Sequence, residues 1–151
     1  MKILVVSDSH GNNEALDQLL LIYPKIDLYI HAGDYECDER SIEPFRMVKG
    51  NCDYFSNALD RLIIPIDKGT IIVQHRPNIS LDILKENNAR IFIHGHTHAR
   101  RLENRDGLLI INPGAISFPR DGYDLSYAII EINGDDIKVT FHQLSDNLKK
   151  I

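Results

Sequence analysis

The sequence predicts an α/β fold in which two mixed sheets pack face to face with helices on the outside. The first half alternates strand and helix patterns, whereas the second half is richer in antiparallel strands. We find no repeat, low-complexity tract or linker in the sequence. The 151 residues suit one domain, spanning residues 1–151, that is long enough to bury a core.

The first half of the chain starts with a strand that is expected to be buried on both faces. The run "KILVV" at residues 2–6 is continuously apolar, as such strands are. Apolar residues then follow helical spacing from Asn12 to Ile22, and Pro24 lies just beyond the expected end of this helix. The runs "DLYIHAGD" and "RMVKGNCD" predict the second and third strands, and the polar segment 36–45 between them is expected to hold a short helix.

The second half of the chain contains one predicted helix and seven predicted strands or hairpin arms. The runs "RLIIPI" and "TIIVQH" predict two strands around a turn at residues 67–69. Ser80 is the expected N-cap of a helix over residues 80–88, and "RIFIH" predicts another buried strand. An Asp-Gly pair at 106–107 and an Asn-Gly pair at 133–134 are signals of tight hairpins.

The composition limits the classes of partner that the protein is expected to bind. A net charge of −5 does not provide the basic surface that tracks a phosphate backbone, so a nucleic-acid duplex is disfavoured as a partner. The N-terminal apolar run is too short to span a membrane and lacks a signal-peptide cleavage pattern, which favours a cytoplasmic protein without a membrane partner. Cys37 and Cys52 are too few for a disulfide framework, so free thiols are expected. A homo-oligomer is left open.

The positions of the polar side chains are the most informative feature of the sequence. Asp, Asn and His residues directly follow the apolar runs, namely Asp8, His10, His31, Asp34, Asn51, His75, His94, His96, His98 and Asn112. In open α/β sheets, ligands bind in the crevice beyond the carboxyl ends of the strands. The sequence therefore gathers candidate ligands at one crevice.

Among the individual motifs, Gly-His-Thr-His at residues 95–98 carries the strongest signal. His96 and His98 lie two residues apart and would share one face of an extended segment, while Gly95 lets the backbone approach a ligand closely. The other motifs are weak alone. An Asp-x-His is equally explained by a turn that caps a helix, and a strand-end histidine such as His75 is more often only hydrogen-bonded.

Taken together, seven residues form a candidate set of metal ligands: Asp8, His10, Asp34, Asn51, His75, His96 and His98. Their carboxylate, amide and imidazole groups suit Mn²⁺, Fe²⁺, Co²⁺, Ni²⁺ or Zn²⁺. A structural zinc takes four ligands, so a larger set favours two ions that share a carboxylate, typically ~3.5–4 Å apart. We expect two divalent metal ions as cofactors, with Mn²⁺ as the first choice.

The order of these motifs resembles the signature of the calcineurin-like metallophosphoesterases. The signature consists of D-x-H, G-D, G-N, a single His and G-H-x-H, which here are "SDSHGN", "GD", "GNCD", "QH" and "GHTH" between residues 7 and 98. The segments "IHAGD", "VKGNCD", "INPGAI" and "PR" are similar to the small prokaryotic phosphodiesterase branch of that family. The match extends from residue 3 to about residue 120.

The resemblance implies a four-layer α/β/β/α sandwich with a two-metal site at the carboxyl ends of the strands. It assigns Asp8, His10 and His98 to one metal and makes Asp34 the bridging ligand. The ligands that it assigns to the second metal are Asn51, His75 and His96. The implied activity is hydrolysis of small phosphodiesters by a hydroxide that bridges the metals. A related binding or scaffold module with little or no activity is the alternative.

The segment after His75 departs from the family pattern. The family commonly has His-Gly-His where this chain has His75-Arg76-Pro77, which puts the usual substrate contacts of that loop in doubt. Arg76 is expected either to contact a phosphate or to be an ordinary solvated arginine. Asn12 and Arg120 are further candidate substrate-binding residues, with pairing to a carboxylate as the alternative for Arg120.

The residues after the G-N asparagine bear on the protonation of the leaving group. Many relatives in the wider superfamily carry histidine there, whereas this chain has Cys52, a weaker donor with a reference pKa near ~8.5. A small buried filler is the alternative for Cys52. Asp53 is expected to hydrogen-bond a histidine ligand or His10. The candidate catalytic residues are therefore Asp34, Asn51, Cys52 and Asp53.

Four other polar residues are expected to support the site or the fold without binding metal. His31 and His94 are predicted to pack behind the ligands and orient them. Asn112 is expected to shape the floor of the site, and His142 in the last hairpin is expected to be structural.

Overall fold

The computed structural model describes residues 1–145, so residues 146–151 of the predicted domain lie outside the described part. In the described residues the strands form two sheets, as the sequence predicts, and each sheet has five strands. Both sheets contain parallel and antiparallel pairs, and helices lie on their outer faces. The predicted α/β class with two mixed sheets is confirmed.

The first sheet has the strand order β10-β9-β1-β2-β3. The central strand β1 pairs parallel with β2 and antiparallel with β9, and β3 extends the parallel side. The bounds of its strands are β1 Lys2–Val6, β2 Leu28–His31, β3 Arg46–Met47, β9 Ser126–Asn133 and β10 Asp136–Gln143.

The second sheet has the strand order β4-β5-β6-β8-β7. Strands β5, β6 and β8 run parallel, and the hairpins β4–β5 and β7–β8 add one antiparallel strand at each edge. The bounds of its strands are β4 Arg61–Ile66, β5 Gly69–Gln74, β6 Ala89–Ile93, β7 Arg101–Arg105 and β8 Leu108–Asn112.

The main hydrophobic core lies between the inner faces of the two sheets. It consists largely of β-branched side chains, which fit pleated, buried surfaces; examples are Ile3, Val5, Ile30, Ile71, Val73, Ile91, Ile93 and Ile130. Alternate residues of the same strands, such as Leu4 and Ile72, face outward and are covered by helices. The layers therefore follow the order helix, sheet, sheet, helix.

Two α-helices cover the outer faces of the sheets. Helix α1 (Asn13–Ile22) buries Ala15, Leu16 and Leu19 against the first sheet, at the spacing expected for one helix face. Helix α2 (Leu81–Glu86) buries Leu84 against the second sheet, and its N-cap is Ser80, as predicted. Both helices are therefore held mainly by one apolar face.

Two predicted elements are shorter than expected. The polar segment 36–45 holds only a 3₁₀ turn, Glu39–Ile42, and the third strand is reduced to β3, Arg46–Met47. In the 3₁₀ turn, Ile42 is buried and its neighbours are largely exposed, so one residue anchors this segment. No helix of residues 1–145 is long and apolar enough to cross a membrane.

Candidate metal centre

The seven predicted ligands lie on five loops that leave the carboxyl ends of parallel strands. The loops follow β1, β2, β3, β5 and β6, so both sheets contribute to the site. Backbone hydrogen bonds join the loops in pairs. The N–H of Asp8 donates to the Gly33 carbonyl at 3.0 Å, and the N–H of Gly95 donates to the His75 carbonyl at 2.9 Å. The crevice that the sequence predicts is therefore present, and its walls are tied together.

The centre of the site consists of two buried carboxylates and a buried imidazole. The Nε2 atom of His75 lies 3.2 Å from Asp34 Oδ2 and 3.9 Å from Asp8 Oδ1. The three side chains are at most 3% exposed. Ligand atoms of Asp8, Asp34 and His75 all lie within 4.8 Å of one another, a spacing that a single cation can bridge.

A second group of ligand atoms shares Asp8 with the first. The Nε2 atom of His98 lies 3.2 Å from Asp8 Oδ1, and His10 Nε2 lies 3.4 Å from His98 Nε2. His10 Nε2 is also 3.9 Å from Asp34 Oδ2. Asp8, His10 and His98 therefore form a second cluster beside the first, with carboxylates between the two.

The two remaining predicted ligands lie on the far side of His75. The Nδ1 atom of His96 is 3.0 Å from the side-chain oxygen Oδ1 of Asn51. The ring of His96 packs edge-on against the ring of His75, with 5.2 Å between their centroids. All seven predicted ligands are thus brought together in one site.

The histidines of the Gly-His-Thr-His motif do not share a face of an extended segment, contrary to the sequence expectation. His96 and His98 both have left-handed backbone, with φ of +71° and +56°, and the N–H of Thr97 donates to the Gly95 carbonyl at 2.9 Å. This tight turn directs His96 toward Asn51 and His98 toward Asp8. The two rings therefore serve opposite halves of the site.

Left-handed backbone is a general feature of the ligands. Such φ values cost roughly 1–3 kcal/mol each for residues other than glycine. They occur at five of the seven ligands: Asp8, His10, Asp34, His96 and His98. The packing of the surrounding loops must offset this strain, as is common where geometry is held for function.

Two glycines allow the loops to approach the carboxylates. A Cβ atom at Gly50 would lie 2.1 Å from Asp34 Oδ1, and one at Gly95 would lie 2.6 Å from Asp8 Oδ2. Neither distance is compatible with a side chain. The glycines of the G-N and G-H-x-H motifs are therefore required by close approach to the ligands themselves.

Carbonyl oxygens and a carboxylate hold three of the imidazole rings in one tautomer. The Nδ1 atoms of His75 and His98 lie 2.8 and 2.9 Å from the carbonyls of Ala32 and Phe118, and His10 Nδ1 contacts the carboxylate of Glu36. Because these oxygens only accept hydrogen bonds, each Nδ1 carries the proton. The lone pair of each Nε2 then points into the site, as metal binding requires.

This arrangement leaves buried lone pairs that face each other. Among the described residues, Asp8 Oδ1 and His75 Nε2 are buried without a hydrogen-bond partner. A buried polar atom that is not satisfied costs about 1–3 kcal/mol, so each such atom in a native site calls for an explanation. A cation between the carboxylates and the imidazoles satisfies both atoms at once.

The charges in the site show the same requirement for a positive partner. Burial alone would raise the pKa of Asp34, but the close approach of the His75 ring and a hydrogen bond from the Cys52 N–H outweigh it and lower this pKa to about 2. The adjacent carboxylate of Asp8 raises the pKa of His98 above its ordinary value. The pKa of His75 is also raised, because its carboxylate partners outweigh the effect of burial. Without a metal, each of these two rings therefore binds a proton more readily than an ordinary histidine does.

Within residues 1–145, the carboxylate of Asp53 hydrogen-bonds backbone N–H groups and not a histidine, so that prediction is wrong. Its Oδ2 accepts from the N–H groups of Gly50 and Asp34, both at 2.8 Å, and its Oδ1 accepts from the N–H of Glu36 at 2.8 Å. Asp53 therefore clamps the loops after β2 and β3 together and fixes Asp34 through the backbone. Two buried loops with free N–H groups need such an acceptor.

Cys52 lies beside Asp34 and keeps its proton at neutral pH. Its N–H donates to Asp34 Oδ1 at 2.8 Å. Burial, together with the negative charges of Asp34 and Glu36, raises the pKa of the thiol to about 11. The thiol is therefore neutral and is a weaker acid than an ordinary cysteine.

Glu36 is a site residue that the sequence analysis missed. Its carboxylate contacts His10 Nδ1, and ligand atoms of His10, Glu36 and Cys52 lie within 4.8 Å of one another. The contact fixes the ring of His10, which is more exposed than the rings of His75 and His98. One glutamate after a Gly-Asp turn carries no local sequence signal, because the partner lies 26 residues away.

The three predicted substrate-binding residues lie in different surroundings. The side chain of Asn12 is the N-cap of α1 and accepts from the N–H of Ala15 at 3.3 Å. Arg76 is exposed next to His75. Arg120 is exposed too, and its N–H donates to the carbonyl of His98 at 2.8 Å.

The polar residues behind the site have the supporting contacts expected of them. His31 is fully buried, accepts at Nδ1 from the N–H of Gly33 at 3.0 Å and contacts Ser9 Oγ through Nε2 at 2.8 Å. Burial lowers the pKa of His31 to about 3, so the ring is neutral. His94 is buried between the Gly95 carbonyl and Arg101.

Asn112 and His142 also have structural contacts. The amide of Asn112 donates to Thr97 Oγ1 at 3.0 Å and to the Gly95 carbonyl at 3.2 Å, which holds the turn that carries His96 and His98 from below. His142 stacks on the ring of Tyr127. Asn112 thus forms the floor of the site.

Comparison with known proteins identifies the family. The family model of the calcineurin-like phosphoesterase superfamily domain matches residues 1–135. The chain belongs to this superfamily. A probable metallophosphoesterase of Bacillus subtilis is 35% identical, over 97% of this chain and 94% of the relative. The family predicted from the ordered motifs is confirmed.

Solved structures of related proteins have the same fold. A conserved protein of Streptococcus pneumoniae, described as a predicted phosphoesterase, aligns with a TM-score of 0.85 and 31% identity, over 95% of this chain and 90% of that chain. YfcE, a phosphoesterase from Escherichia coli, aligns with a TM-score of 0.76 and 21% identity, over 97% and 94% of the two chains. The four-layer arrangement of this chain therefore matches that of solved phosphoesterases, as the resemblance implies.

The residues of this calcineurin-like phosphoesterase fit divalent metal ions. The donor set contains carboxylate oxygens and imidazole nitrogens, with fixed tautomers and orphaned buried atoms at its centre. Borderline divalent ions prefer such mixed oxygen and nitrogen ligands. The site therefore has the chemistry of a metal centre.

Proposed function

We propose that the protein is a phosphodiesterase that hydrolyses small phosphodiesters with two divalent metal ions. The observation that carries the proposal is the pair of orphaned atoms, Asp8 Oδ1 and His75 Nε2, buried between two ligand clusters that share Asp8. One cation would satisfy only one cluster. Two cations would give each cluster an ion to bind through its carboxylate and imidazole groups. The tautomers of the imidazoles already suit metal binding.

The ligands divide into two sets. Asp8, His10 and His98 would hold one ion, and Asp34 would lie between the ions. The second ion would be held by Asn51, His75 and His96. Bound there, divalent ions lower the pKa of water to near neutrality and polarise the phosphoryl oxygens.

The protein residues orient this chemistry. The carbonyls of Ala32 and Phe118 keep the rings of His75 and His98 aimed into the site, and Glu36 does the same for His10. Asp53 fixes the backbone that carries Asp34. Oriented ligands save the reorganisation that a flexible site would need in the transition state.

Cys52 is proposed as the group nearest to the leaving group. A neutral thiol with a pKa of about 11 is a poor proton donor at neutral pH. We therefore propose that the enzyme prefers esters of acidic alcohols or phenols, which leave without protonation. Asn51, which contacts the thiol through its amide nitrogen at 3.4 Å, would position it.

The finer properties are part of the same proposal. We take Mn²⁺ as the first choice of metal, with Ni²⁺, Fe²⁺, Co²⁺ and Zn²⁺ as alternatives, because imidazole and carboxylate ligands suit all of these ions. The net charge of −5 argues against nucleic-acid duplexes as substrates. We place the enzyme in the cytoplasm, where its thiols, Cys37 and Cys52, would stay reduced. The relative YfcE of Escherichia coli, which is 22% identical in sequence, is named a phosphodiesterase.

The experiment is a metal titration of hydrolysis. Protein freed of metal with a chelator is assayed with bis(p-nitrophenyl) phosphate and with p-nitrophenyl phosphate while Mn²⁺ or another divalent ion is added. We expect no turnover without metal, activity that rises with metal, and a higher kcat/KM for the diester. Asp34→Asn should abolish the activity, whereas His142→Asn on β10 is the matched control and should retain it.

The titration also separates the proposal from its alternative. If two ions bind per chain and no ester is hydrolysed, the protein is a binding or scaffold module with the fold of an enzyme. If the monoester is hydrolysed faster than the diester, the proposed substrate class is wrong.

A further inference from the structure

Two cavities of opposite charge flank the metal centre and share Tyr54 as a wall. The basic cavity has a volume of about 530 Å³ and is lined by Lys49, Asn51, Tyr54, Asp60, His75 and Arg76, among others. The acidic cavity has a volume of about 800 Å³, and its charged lining residues are Glu36, Asp38, Glu39, Arg40 and Asp53. Both volumes are in the range of small-molecule sites.

The charges of the basic cavity oppose those of the chain as a whole. Lys49 and Arg76 bring two positive charges and Asp60 one negative charge, on a protein with a net charge of −5. Each cation is adjacent in sequence to a loop that carries a metal ligand: Arg76 follows His75 directly, and Lys49 precedes the Gly-Asn turn. The cavity therefore extends from the second set of ligands outward.

The wall of the basic cavity is held in place by hydrogen bonds. The amide of Gln74 donates to the carbonyls of Arg76 and Asn78 at 2.8 and 2.7 Å, and the guanidinium of Arg61 donates to Gln74 Oε1 at 2.9 Å. On the opposite wall, the N–H of Lys49 donates to the carbonyl of Leu59 at 2.9 Å. The backbones that carry both cations are thus fixed, although the loop after β5 is an irregular segment.

Arg76 lies next to the second set of ligands. It directly follows His75, and the two residues line the basic cavity together with Asn51. A group bound beside these ligands therefore shares the cavity with Arg76. Tyr54, which is 78% exposed, adds an aromatic ring to the wall that the two cavities share.

We propose that the basic cavity binds a second phosphate carried by one arm of the phosphodiester substrate, held by Lys49 and Arg76. The inference rests on the proposed phosphodiesterase function and names the substrate class. The acidic cavity repels a phosphorylated arm. The charge difference between the two cavities therefore directs the phosphorylated arm of the diester into the basic cavity and the other arm toward the acidic cavity. The substrate class is a phosphodiester with a phosphorylated arm, of the type found in nucleotides with two phosphates.

The test compares two substrates that differ only in the distal phosphate. Thymidine 5′-(p-nitrophenyl phosphate), with and without a 3′-phosphate, is hydrolysed by the manganese-loaded full chain. We expect the 3′-phosphate to raise kcat/KM about tenfold or more, since hydrogen bonds to charged groups commonly have effects of that size. The advantage should shrink as salt is added.

Three variants assign the effect to the cavity. Lys49→Met and Arg76→Met should each reduce the ratio of the two kcat/KM values toward one. Asp60→Asn removes the opposing charge and should increase the ratio about two- to threefold. Lys138→Met, on β10, is the matched control and should keep the wild-type ratio.

A binding measurement gives a readout independent of turnover. Thymidine 3′,5′-bisphosphate and thymidine 5′-phosphate are titrated into the metal-free protein by calorimetry. The wild type should bind the bisphosphate about tenfold more tightly than the monophosphate. Lys49→Met should bind both ligands equally weakly.

The outcomes separate the two proposals. A ratio near one in the wild type, or a ratio that survives both methionine substitutions in folded protein, overturns the second-phosphate site and leaves the phosphodiesterase function intact. If neither ester is hydrolysed with any metal, the proposed function itself fails, and the site falls with it.

Discussion

Asp8 Oδ1 and His75 Nε2 lie 3.9 Å apart, buried on facing sheets, and among the described residues neither has a hydrogen-bond partner. Asp8 follows β1 of the first sheet and His75 follows β5 of the second. Two unsatisfied hydrogen-bond acceptors that face each other between the two sheets indicate that a cation links the two halves of the fold. Metal binding and folding stability should therefore be coupled.

Removal of metal should lower the thermal stability. A ligand at a hundred times its Kd adds about 2.7 kcal/mol, and for a chain of this size each kcal/mol corresponds to roughly 2–4 °C, so the Tm should rise by about 5–10 °C. Differential scanning calorimetry of the chelated protein with and without Mn²⁺ measures this shift. The Tm of Asp8→Asn should change little when Mn²⁺ is added. A wild-type Tm that does not change with Mn²⁺ would contradict the coupling of metal binding and stability.

Metal affinity should fall as the solution becomes more acidic. The pKa values of His75 and His98 are raised above 6.5, so both rings hold protons at a pH where an ordinary histidine is neutral. Binding must displace these protons, and the apparent affinity should drop by up to about tenfold per pH unit for each proton released. Calorimetry at pH 7 in buffers of different ionisation enthalpy counts the protons.

The same pKa values predict the opposite trend for the metal-free protein. A raised histidine pKa stabilises the folded state fully below pH ~6.5, and this contribution is lost as the pH rises through the raised value. Chelated protein should therefore lose stability as the pH rises above ~6.5, while metal-loaded protein should gain it. His98→Asn should weaken both trends; equal trends with and without metal would contradict the assignment.

The fold and most of the ligand set follow from sequence patterns for local reasons. The continuous apolar runs of β1 and β6 and the hairpin turns are encoded within a few residues, and the ligands follow these runs directly. The orientation of His96 and His98 was not predictable from their spacing. Extended backbone would have aligned them, but left-handed turns directed them apart.

The long-range contacts could not be derived from the chain. Asp53 accepts from N–H groups of Asp34 and Gly50, and Glu36 contacts His10, only because separate loops meet in the fold. The sequence does not distinguish a carboxylate that accepts hydrogen bonds from backbone N–H groups from a carboxylate that hydrogen-bonds a metal ligand. The positive charge of the basic cavity likewise depends on the fold, because Lys49 and Arg76 lie on loops that follow different strands.

Substitution of Gly95 should separate site geometry from general stability. In Gly95→Ala, the Cβ would lie 2.0 Å from Ser7 Oγ and 2.6 Å from Asp8 Oδ2, so Asp8 must move. Gly69→Ala is the matched control, because its Cβ would lie 2.4 Å from the Asn88 carbonyl, far along β5 from the ligands. Both should lose about 1–3 kcal/mol of stability.

Only Gly95→Ala should lose the metal as well. Displacement of the groups around metal ligands commonly costs about 10–100-fold in affinity or activity. Metal affinity by calorimetry and hydrolysis of bis(p-nitrophenyl) phosphate measure the effect. Equal losses of affinity in the two variants would mean that the glycine acts through stability alone.

The rate should depend on the acidity of the leaving group. Because the thiol of Cys52 is a poor proton donor, the departing oxygen carries its own negative charge. We expect kcat/KM to fall at least about tenfold from a p-nitrophenyl diester to the phenyl diester. Cys52→His should flatten this dependence and Cys52→Ala should not, whereas a flat dependence in the wild type would reveal an efficient donor elsewhere.

The most direct test of the metal centre is an anomalous scattering measurement on crystals of the protein soaked in Mn²⁺. Two peaks of manganese density, one beside His10 and His98 and one beside His75 and His96, with Asp34 between them, are the predicted result. A map with no peak, or with one ion bound away from Asp34, would contradict the account.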